Sequence, residues 1–543
     1  MSSIQESKHI HQPWFTLEDS PEEGTGKPDA LSWVPSWRTK LALCVLYHMY
    51  LFWGIYYTWD STLLWCNNIK LLTTITIGLY VVLCTYLVAI RFTKYVSRPS
   101  TSGKTRRWVR LFCWSTLAFI IALTIVDGRE NFSRIISLCG LVVLVLAGYV
   151  FSKECSEVDW SQVTSSLDAV YVLAFVFLRV DWGEESCHRQ LVSYSADLFN
   201  SGTGVLFGPL ARGINMAEHL GNASVATIAP VFTFSVLPVI CCVAAMVKIL
   251  YYMGVIQFLL YHMEGVLSQT TRFNACEVFY AFVTFFLGPV DSLVLLYPYF
   301  DTLTASNLHC VLTMAFSSIT GRLLTSFVGF GIDDKYMTAA AVMSIPTAFA
   351  YSKLCYPETR GAAMSAESLL QVPREKSVVE AAVGGAVLGL YLITCCVGNI
   401  VTYMSLSRFA NTMFDWGTSN LGFETATLEG TLSFIISPLA LLIGVPREDC
   451  KAVGNLIAVK ILHSERAAYQ RLGVTDLLER SQMMAKFSLC GVGNLSILGM
   501  VMGAMFVLCP DRATAVASMI LRVFLTCAGA ALLMACVAGS LLD

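Results

Sequence analysis

Three polar side chains that could bind a small solute stand within otherwise apolar stretches of the sequence. They are Asp291 in segment 287–292, Glu465 in segment 463–466 and Asn494 in segment 490–494. If these stretches lie in a membrane, a carboxylate there costs at least about 2.5–3.5 kcal/mol, so Glu465 should line a cavity and meet a hydrogen-bond donor. Ionised acceptors form hydrogen bonds roughly twice as strong as neutral ones. The alternatives are a salt bridge to a nearby Lys or Arg for Glu465 and a helix-to-helix polar contact for Asn494.

The composition favours a polytopic membrane protein. Of 543 residues, 55% are hydrophobic and 14% are charged, and the mean hydropathy is +0.63. Soluble domains carry about 25% charged residues, so a soluble enzyme, a disordered chain and a disulfide-built secreted domain are disfavoured. The net charge of −2 does not indicate nucleic-acid binding, and the 19 cysteines show no metal-site spacing. An intramembrane enzyme is disfavoured because His309 and His463 stand alone and no GxSxG motif is present.

Eight uncharged apolar runs could cross a bilayer, whose core of about 30 Å requires roughly 20 residues per helix. They are residues 41–59, 71–90, 111–126, 135–152, 225–247, 336–352, 381–407 and 523–542. The loop after the second run is rich in Lys and Arg, which predicts that this loop and the N-terminus are cytoplasmic. Residues 1–40 are polar and lack the apolar core of a signal peptide. The loop at 127–134 would then lie outside and carries the glycan acceptor motif Asn131-Phe-Ser133.

Between residues 268 and 508 the apolar stretches are broken by Gly, Pro and charged residues. Irregular backbone at membrane depth is tolerated only where protein covers it or where it lines an aqueous cavity. Broken helices and re-entrant hairpins in two halves of a chain indicate the substrate site of a secondary transporter. The alternative is that these breaks are extramembrane loops between ordinary helices.

An ordered series of motifs between residues 159 and 542 resembles the concentrative nucleoside transporter family, in its eukaryotic branch. The motifs include Leu237-Pro-Val-Ile240, Leu250-Tyr-Tyr-Met-Gly-Val-Ile-Gln257, Gly288-Pro-Val-Asp291, Lys460-Ile-Leu-His-Ser-Glu-Arg-Ala-Ala-Tyr469 and Leu489-Cys-Gly-Val-Gly-Asn-Leu-Ser-Ile-Leu-Gly499. The last two are similar to the family's KxxxNEFVAY and LCGFANFSSIG. Any single motif is weak evidence for the resemblance, but the ordered set with its spacing is strong evidence.

The resemblance implies an all-α polytopic fold and a homotrimer whose subunits each have a scaffold part and a moving transport part. The transport part would carry two re-entrant helical hairpins and two unwound helices around one nucleoside and one cation. The first hairpin would include Gly288–Asp291, with an unwound partner at 317–321. The second hairpin would lie within Glu424–Gly444, with a partner at 464–465.

The same resemblance divides the chain into six parts. They are a cytoplasmic tail (1–40), three to four N-terminal transmembrane helices (41–157), the first part of the core with scaffold helices (158–265), the first hairpin and unwound helix (266–360), a scaffold helix and an interfacial helix (361–423), and the second hairpin, unwound helix and C-terminal helices (424–543).

By resemblance, Glu465 accepts hydrogen bonds from ribose hydroxyls and Asn494 also binds ribose. The remaining substrate-binding positions depart from the family, which indicates a divergent member. Pro289, Val290 and Asp291, beside Gly288, replace Gln, Thr and Glu; Val492 replaces a base-packing Phe and Ile497 a ribose-contacting Ser. Ordinary uridine-type selectivity is therefore not assumed. Arg466 replaces a Phe, a change for which the sequence offers no physical account.

The coupling cation, by resemblance Na⁺, would be held by oxygen atoms. The ligands would be the Thr284 hydroxyl, the Leu287 carbonyl, the Ser318 hydroxyl and the Ile319 carbonyl. Oxygen ligands suit a hard cation. Arg322, where the family has Ser, would repel Na⁺ if it pointed inward, so proton coupling through Asp291 or Glu465 is the alternative.

The function expected is sodium-coupled import of nucleosides across a membrane, by family analogy the plasma membrane, with no organic cofactor. The alternatives are a transporter of the same fold with a changed substrate or proton coupling, and a regulatory member that no longer transports. The altered hairpin at Gly288–Asp291 motivates both.

Overall fold

The structure is a computed structural model, and it describes most of the chain from residue 132 onward. The described residues are 45–50, 53, 114–115, 132–179, 202–212, 214–215, 227–228, 231–235, 237–270, 273–285, 287–319, 334–359, 369, 372, 375–422 and 427–542. The chain divides into two compact units, Met1–Gly78 and Leu79–Asp543. In the first unit, residues 45–50 are helical. Asn131, Arg322 and most of the first three expected membrane runs lie outside the described residues.

Fifteen helices of eight or more residues make up the described part of the second unit. They are α1 Phe132–Val150, α2 Trp160–Arg179, α3 Val239–Tyr252, α4 Val255–Thr270, α5 Ala275–Thr284, α6 Pro289–Leu296, α7 Ala305–Ser317, α8 Asp334–Cys355, α9 Val378–Asn420, α10 Leu428–Leu442, α11 Cys450–Leu462, α12 Glu465–Val474, α13 Glu479–Gly491, α14 Leu495–Leu508 and α15 Ala513–Leu541. Two single-turn helices, Pro209–Arg212 and Phe232–Ser235, and an antiparallel pair of two-residue strands, Ile214–Asn215 and Thr227–Ile228, precede α3.

Six helical segments among the described residues are long and apolar enough to cross a membrane. They are Ser133–Val150, Trp160–Leu178, Thr233–Tyr252, Val378–Asn420, Glu479–Leu508 and Pro510–Leu541. Four of them overlap the expected runs 135–152, 225–247, 381–407 and 523–542. The expected start at residue 225 is wrong, because Thr227–Ile228 is a strand and the continuous helix α3 begins after Pro238.

Helices α5 and α6 form a helical hairpin in which the sequence specifies both arms. The Asn274 side chain accepts the Cys276 N–H at 2.9 Å and caps α5. At the start of α6, Pro289 occupies the first turn, where its fixed φ fits and its missing N–H costs nothing. Asp291 Oδ2 accepts the Gly288 N–H at 3.3 Å. The hairpin expected around Gly288–Asp291 is therefore present, with Gly288 at its turn.

The second reversal lies later in the chain than the sequence suggested. Residues 428–442, within the interval expected to contain the whole hairpin, form the single helix α10, which includes Pro438. The chain reverses between α10 and α11, where Gly444 has a φ of +94° that favours glycine. Because Pro can remain inside a helix that neighbouring helices pack against, Pro438 does not mark the turn.

Three helix breaks occur in the interior of the described fold. Helix α7 ends at Ser317, and Ser318 is extended. The chain breaks at His463 and Ser464 between α11 and α12, and at residues 492–494 between α13 and α14. Helices α7, α8, α13 and α15 pack against one another around these breaks. Interrupted helices that other helices cover are the arrangement in which backbone groups can face a solute.

Candidate substrate and cation sites

Glu465 is the first residue of α12, immediately after a helix break. The Ser464 hydroxyl accepts the Ala467 N–H at 3.2 Å and caps α12, while His463, with φ −111° and ψ −88°, ends α11. A serine that caps a new helix competes with continuation of the old one. The break therefore leaves Glu465 at the N-terminal end of a helix, where the helix dipole favours a carboxylate. Glu465 is 7% exposed, and Arg466 next to it is exposed.

The carboxylate of Glu465 has a cationic neighbour in the interior. Lys460 Nζ lies 3.6 Å from Glu465 Oε1. The same ammonium donates hydrogen bonds to the carbonyl oxygens of Leu489 and Cys490, the latter at 3.4 Å. The salt bridge weighed as an alternative for Glu465 is thus present, although 3.6 Å is long for a charge-assisted hydrogen bond. Sequence reasoning did not single out Lys460, although a lysine in an apolar helix is itself a signal.

Asn494 is buried and caps the helix that follows the second break. Its Oδ1 accepts the Ile497 N–H at 2.7 Å, which orients the carboxamide at the start of α14. The cap uses one lone pair of the oxygen, and the amide nitrogen is a donor that the cap does not use. The hydrogen bond of Asn494 Oδ1 therefore lies within its own helix turn. It is not the helix-to-helix contact that the sequence left open for Asn494.

The packing of the helices brings the end of α7 next to the break at residues 492–494. Helix α12 contacts α11 and α13, and α6 and α7 contact α14. Gly493 lies against Phe316 of α7, because a Cβ there would stand 3.1 Å from the Phe316 ring. Cys527 Sγ lies 3.3 Å from the Ser317 hydroxyl and 3.0 Å from the Gly491 carbonyl oxygen. The end of α7 and the 492–494 break are thus neighbours.

Four of the expected substrate-binding positions are apolar. Val290, Val492 and Ile497 are buried, and Pro289 is half-buried. The Ser292 hydroxyl, one residue beyond Asp291, is buried and has no hydrogen-bond partner among the described groups. Sequence reasoning did not select Ser292, because the motif Gly288-Pro-Val-Asp291 that resembles the family pattern ends one residue before it.

The four expected cation ligands lie at the C-terminal ends of two helices that contact each other, α5 and α7. The Thr284 hydroxyl is fully buried and without a hydrogen-bond partner in the described part of the chain. Ser318 Oγ donates to the Ala315 carbonyl at 3.2 Å, so its lone pairs are available to a cation. Carbonyl and hydroxyl oxygens at helix C-termini are the donors used for Na⁺ in broken-helix transporters. These residues therefore fit a hard monovalent cation.

Known proteins are similar to this chain in sequence. A family profile described as the Na⁺-dependent nucleoside transporter C-terminus matches residues 336–539. The chain is 28% identical to sodium/nucleoside cotransporter 1 of Oryctolagus cuniculus over 464 residues, which cover 82% of this chain and 68% of that protein. It is 26% identical to solute carrier family 28 member 3 of Homo sapiens over 458 residues, or 80% and 64% of the two chains.

A solved structure has a similar fold. The transporter CNTnw, in a double variant that faces outward, superposes with a TM-score of 0.67 and 25% identity, over 75% of this chain and 99% of that one. The fold and its interrupted helices define a polytopic secondary transporter rather than an enzyme. Together the matches confirm the resemblance that the ordered motifs carry: the chain is similar in sequence to sodium/nucleoside cotransporters and in fold to CNTnw.

Proposed function

We propose that this protein is a secondary transporter that imports nucleosides across a membrane, coupled to Na⁺. The observation that carries the proposal is the buried carboxylate of Glu465 at a helix break, which Lys460 joins to the last carbonyls of α13, just before the break that Asn494 caps. Relatives named as sodium/nucleoside cotransporters support the substrate class and the ion. Six helices of membrane-spanning length among the described residues support an integral membrane location.

The proposed recognition divides the nucleoside between two surfaces. Glu465 would accept hydrogen bonds from ribose hydroxyls, and the Asn494 amide would donate to the sugar. The apolar surface of Val290 and Val492 would face the base, with Asp291 at its edge, and Ile497 would pack against the ribose. Na⁺ held by Thr284, Leu287, Ser318 and Ile319 would supply a positive charge beside the turn that begins α6. A buried carboxylate and an amide N–H that the cap does not use favour a polyhydroxyl ligand, because its hydroxyl groups can donate to the first and accept from the second.

A second candidate function rests on the α6 turn. Pro289 and Val290 provide neither the amide nor the hydroxyl that the family pattern has there. Each lost net hydrogen bond is worth about 0.5–1.5 kcal/mol, and an unpaired buried partner costs more. A protein of this fold with a changed substrate, with proton coupling, or with a regulatory role would follow if nothing compensates. Ser292 is the described hydroxyl closest in sequence that could compensate.

Three further properties of the proposed transporter follow from the family. We propose that it assembles as a homotrimer, lies in the plasma membrane, and has a cytoplasmic N-terminus. The last point is supported by the Lys- and Arg-rich loop after residue 90.

Uptake of labelled uridine, cytidine, adenosine and guanosine into cells that express the protein tests the proposal. We expect accumulation above vector controls in Na⁺ medium, loss of at least about 90% of it in choline medium, and the same loss in Glu465→Gln, because a neutral acceptor replaces a charged one. Glu479→Gln, an exposed carboxylate on α13, is the matched control and should transport normally.

Three results would contradict this proposal. Uptake in choline that depends on an inward proton gradient would favour the proton-coupled alternative. No accumulation of any nucleoside, with the protein at the cell surface, would favour the regulatory one. Wild-type uptake by Glu465→Gln would remove Glu465 from the binding site.

A further inference from the structure

Lys460 is a cation in the interior of the protein. It lies in the last turn of α11, and none of its side chain is exposed. An ammonium that leaves water is strongly destabilised unless hydrogen-bond acceptors and an opposite charge surround it. Its partners therefore account for its presence in the core.

Those partners belong to two different helices. The carbonyl oxygens of Leu489 and Cys490 lie in the last turn of α13, just before the break that ends in Asn494. The last carbonyls of a helix have no partner within it and carry a partial negative charge, so an ammonium there satisfies and stabilises the helix end. The third partner is the carboxylate of Glu465 at the start of α12, 3.6 Å away.

The break at His463 and Ser464 makes this contact geometrically available. In a continuous α-helix, residues five apart point about 140° away from each other, so Lys460 and Glu465 could not meet. The interruption lets α12 begin in a new direction, and the carboxylate returns toward the ammonium. One cation thus joins α11, the start of α12 and the end of α13.

We propose that Lys460 is a positioning residue for nucleoside recognition. It holds the Glu465 carboxylate and the Asn494 break at a fixed separation and compensates the buried negative charge, without contacting the nucleoside itself. This inference rests on the proposed function, because it assigns Glu465 to ribose. A lysine that only filled space in the core would affect stability but would not distinguish ligands by their hydroxyl groups.

The test compares the KM values for uridine, 2′-deoxyuridine and 3′-deoxyuridine in Lys460→Gln and Lys460→Met, after normalising to surface protein. We expect the KM for uridine to rise about tenfold in both variants. The analogue that lacks the hydroxyl bound by Glu465 should change by less than about twofold, because it has no such interaction to lose. Lys460→Arg should restore most of the uridine affinity, and Lys451→Met, exposed on the same helix, should change nothing.

Labelling of Cys490 gives a second readout that does not need transport. Cys490 is buried beside the contact, and its modification by N-ethylmaleimide can be followed by mass spectrometry. Lys460→Met should label faster than wild type, whereas Lys460→Gln, whose amide can still donate to the helix end, should stay protected.

The two readouts separate failure of this inference from failure of the proposed function. Equal loss of affinity for all three nucleosides, or no loss, would overturn the positioning role while leaving nucleoside transport intact. If the wild-type protein takes up no nucleoside, the proposed function fails. The anchoring role is then decided by Cys490: faster labelling in Lys460→Met supports it, and unchanged labelling overturns it.

Discussion

The turn that begins α6 offers one carboxylate and few other hydrogen-bonding groups. The Asp291 carboxylate accepts the Gly288 N–H, so it also stabilises the turn. Pro289 has no backbone donor, and Val290 adds buried carbon. A base with hydrogen-bonding groups would leave its polar atoms without partners against this surface. The free energy lost in this way is larger than the free energy that one net hydrogen bond contributes. If the base lies against this turn, as proposed, its residue types predict weak binding of common nucleosides.

Restoring the family residues at this surface should raise affinity. We expect Pro289→Gln, Val290→Thr and Ile497→Ser together to lower the KM for uridine or adenosine by at least about tenfold, because each new net hydrogen bond contributes about 0.5–1.5 kcal/mol. The measurement is concentration-dependent uptake, normalised to surface protein. Val294→Thr, buried one turn further along α6, adds a hydroxyl away from the turn and should not change the KM. An unchanged selectivity profile in the triple variant would show that the base lies elsewhere.

Single residues differ in how far the sequence alone reveals their roles. Glu465 and Asn494 can be found because a polar group in an apolar stretch is costly and because their motifs match a family. The contact between Lys460 and Glu465 cannot be found in this way, because residues five apart do not meet on a regular helix. It depends on the break at His463 and Ser464, after which α12 takes a new direction and packs against α13.

At the scale of elements, the reversal between α10 and α11 is fixed by a cluster of hydrogen bonds from Arg480. The Arg480 guanidinium donates to the carbonyl oxygens of Gly444, Gly539 and Leu542 at 3.1, 2.9 and 2.8 Å. It also donates to the Ser137 hydroxyl at 3.1 Å. A planar guanidinium with five N–H groups can bind several carbonyls at once, which an ammonium cannot do in the same geometry. One side chain of α13 thus joins the reversal to α1 and α15.

Gly444 at this reversal should tolerate no side chain. It has a φ of +94°, and a Cβ would stand 2.1 Å from the Ser137 hydroxyl. Gly422 has a similar φ of +82° but open space around it, so Gly422→Ala is the matched control. Backbone strain costs each alanine roughly 1–2 kcal/mol, and only Gly444→Ala adds the steric clash. Thermal unfolding of the purified protein in detergent should show a clearly lower Tm for Gly444→Ala. Equal shifts in the two variants would mean that the reversal is not packed as described.

Elements are predictable where local chemistry decides them and less so where packing does. The α5–α6 hairpin follows from Asn274, Gly288 and Pro289, whose capping and turn preferences are local. The helix Trp160–Leu178 contains Asp168, so a search for uncharged runs misses it, although helical packing buries that side of α2. Pro438 suggests a break, but α10 continues through it because α11 packs alongside.

For the whole molecule, the membrane potential acts on whatever charge crosses with the substrate. A nucleoside is neutral, and the Lys460–Glu465 pair adds no net charge when both groups are ionised. A cation bound at Thr284, Leu287, Ser318 and Ile319 would then be the charge that moves in each transport cycle. Moving one elementary charge across 100 mV is worth about 2.3 kcal/mol. This is enough to concentrate the substrate about fiftyfold for each coupled cation, since about 1.4 kcal/mol corresponds to tenfold.

Transport should therefore be electrogenic. Addition of a transported nucleoside to a voltage-clamped cell that expresses the protein should evoke an inward current in Na⁺ medium, and the current should grow as the membrane is made more negative. Replacement of Na⁺ by choline, or the substitution Thr284→Val, which removes the buried hydroxyl while keeping the side-chain shape, should abolish or strongly reduce the current. Thr302→Val, exposed in the segment between α6 and α7 and outside the proposed sites, is the control and should retain it. Nucleoside accumulation with no current, at the same surface density of protein, would show that transport is electroneutral and that a cation at the ends of α5 and α7 is not a net charge that moves in each cycle.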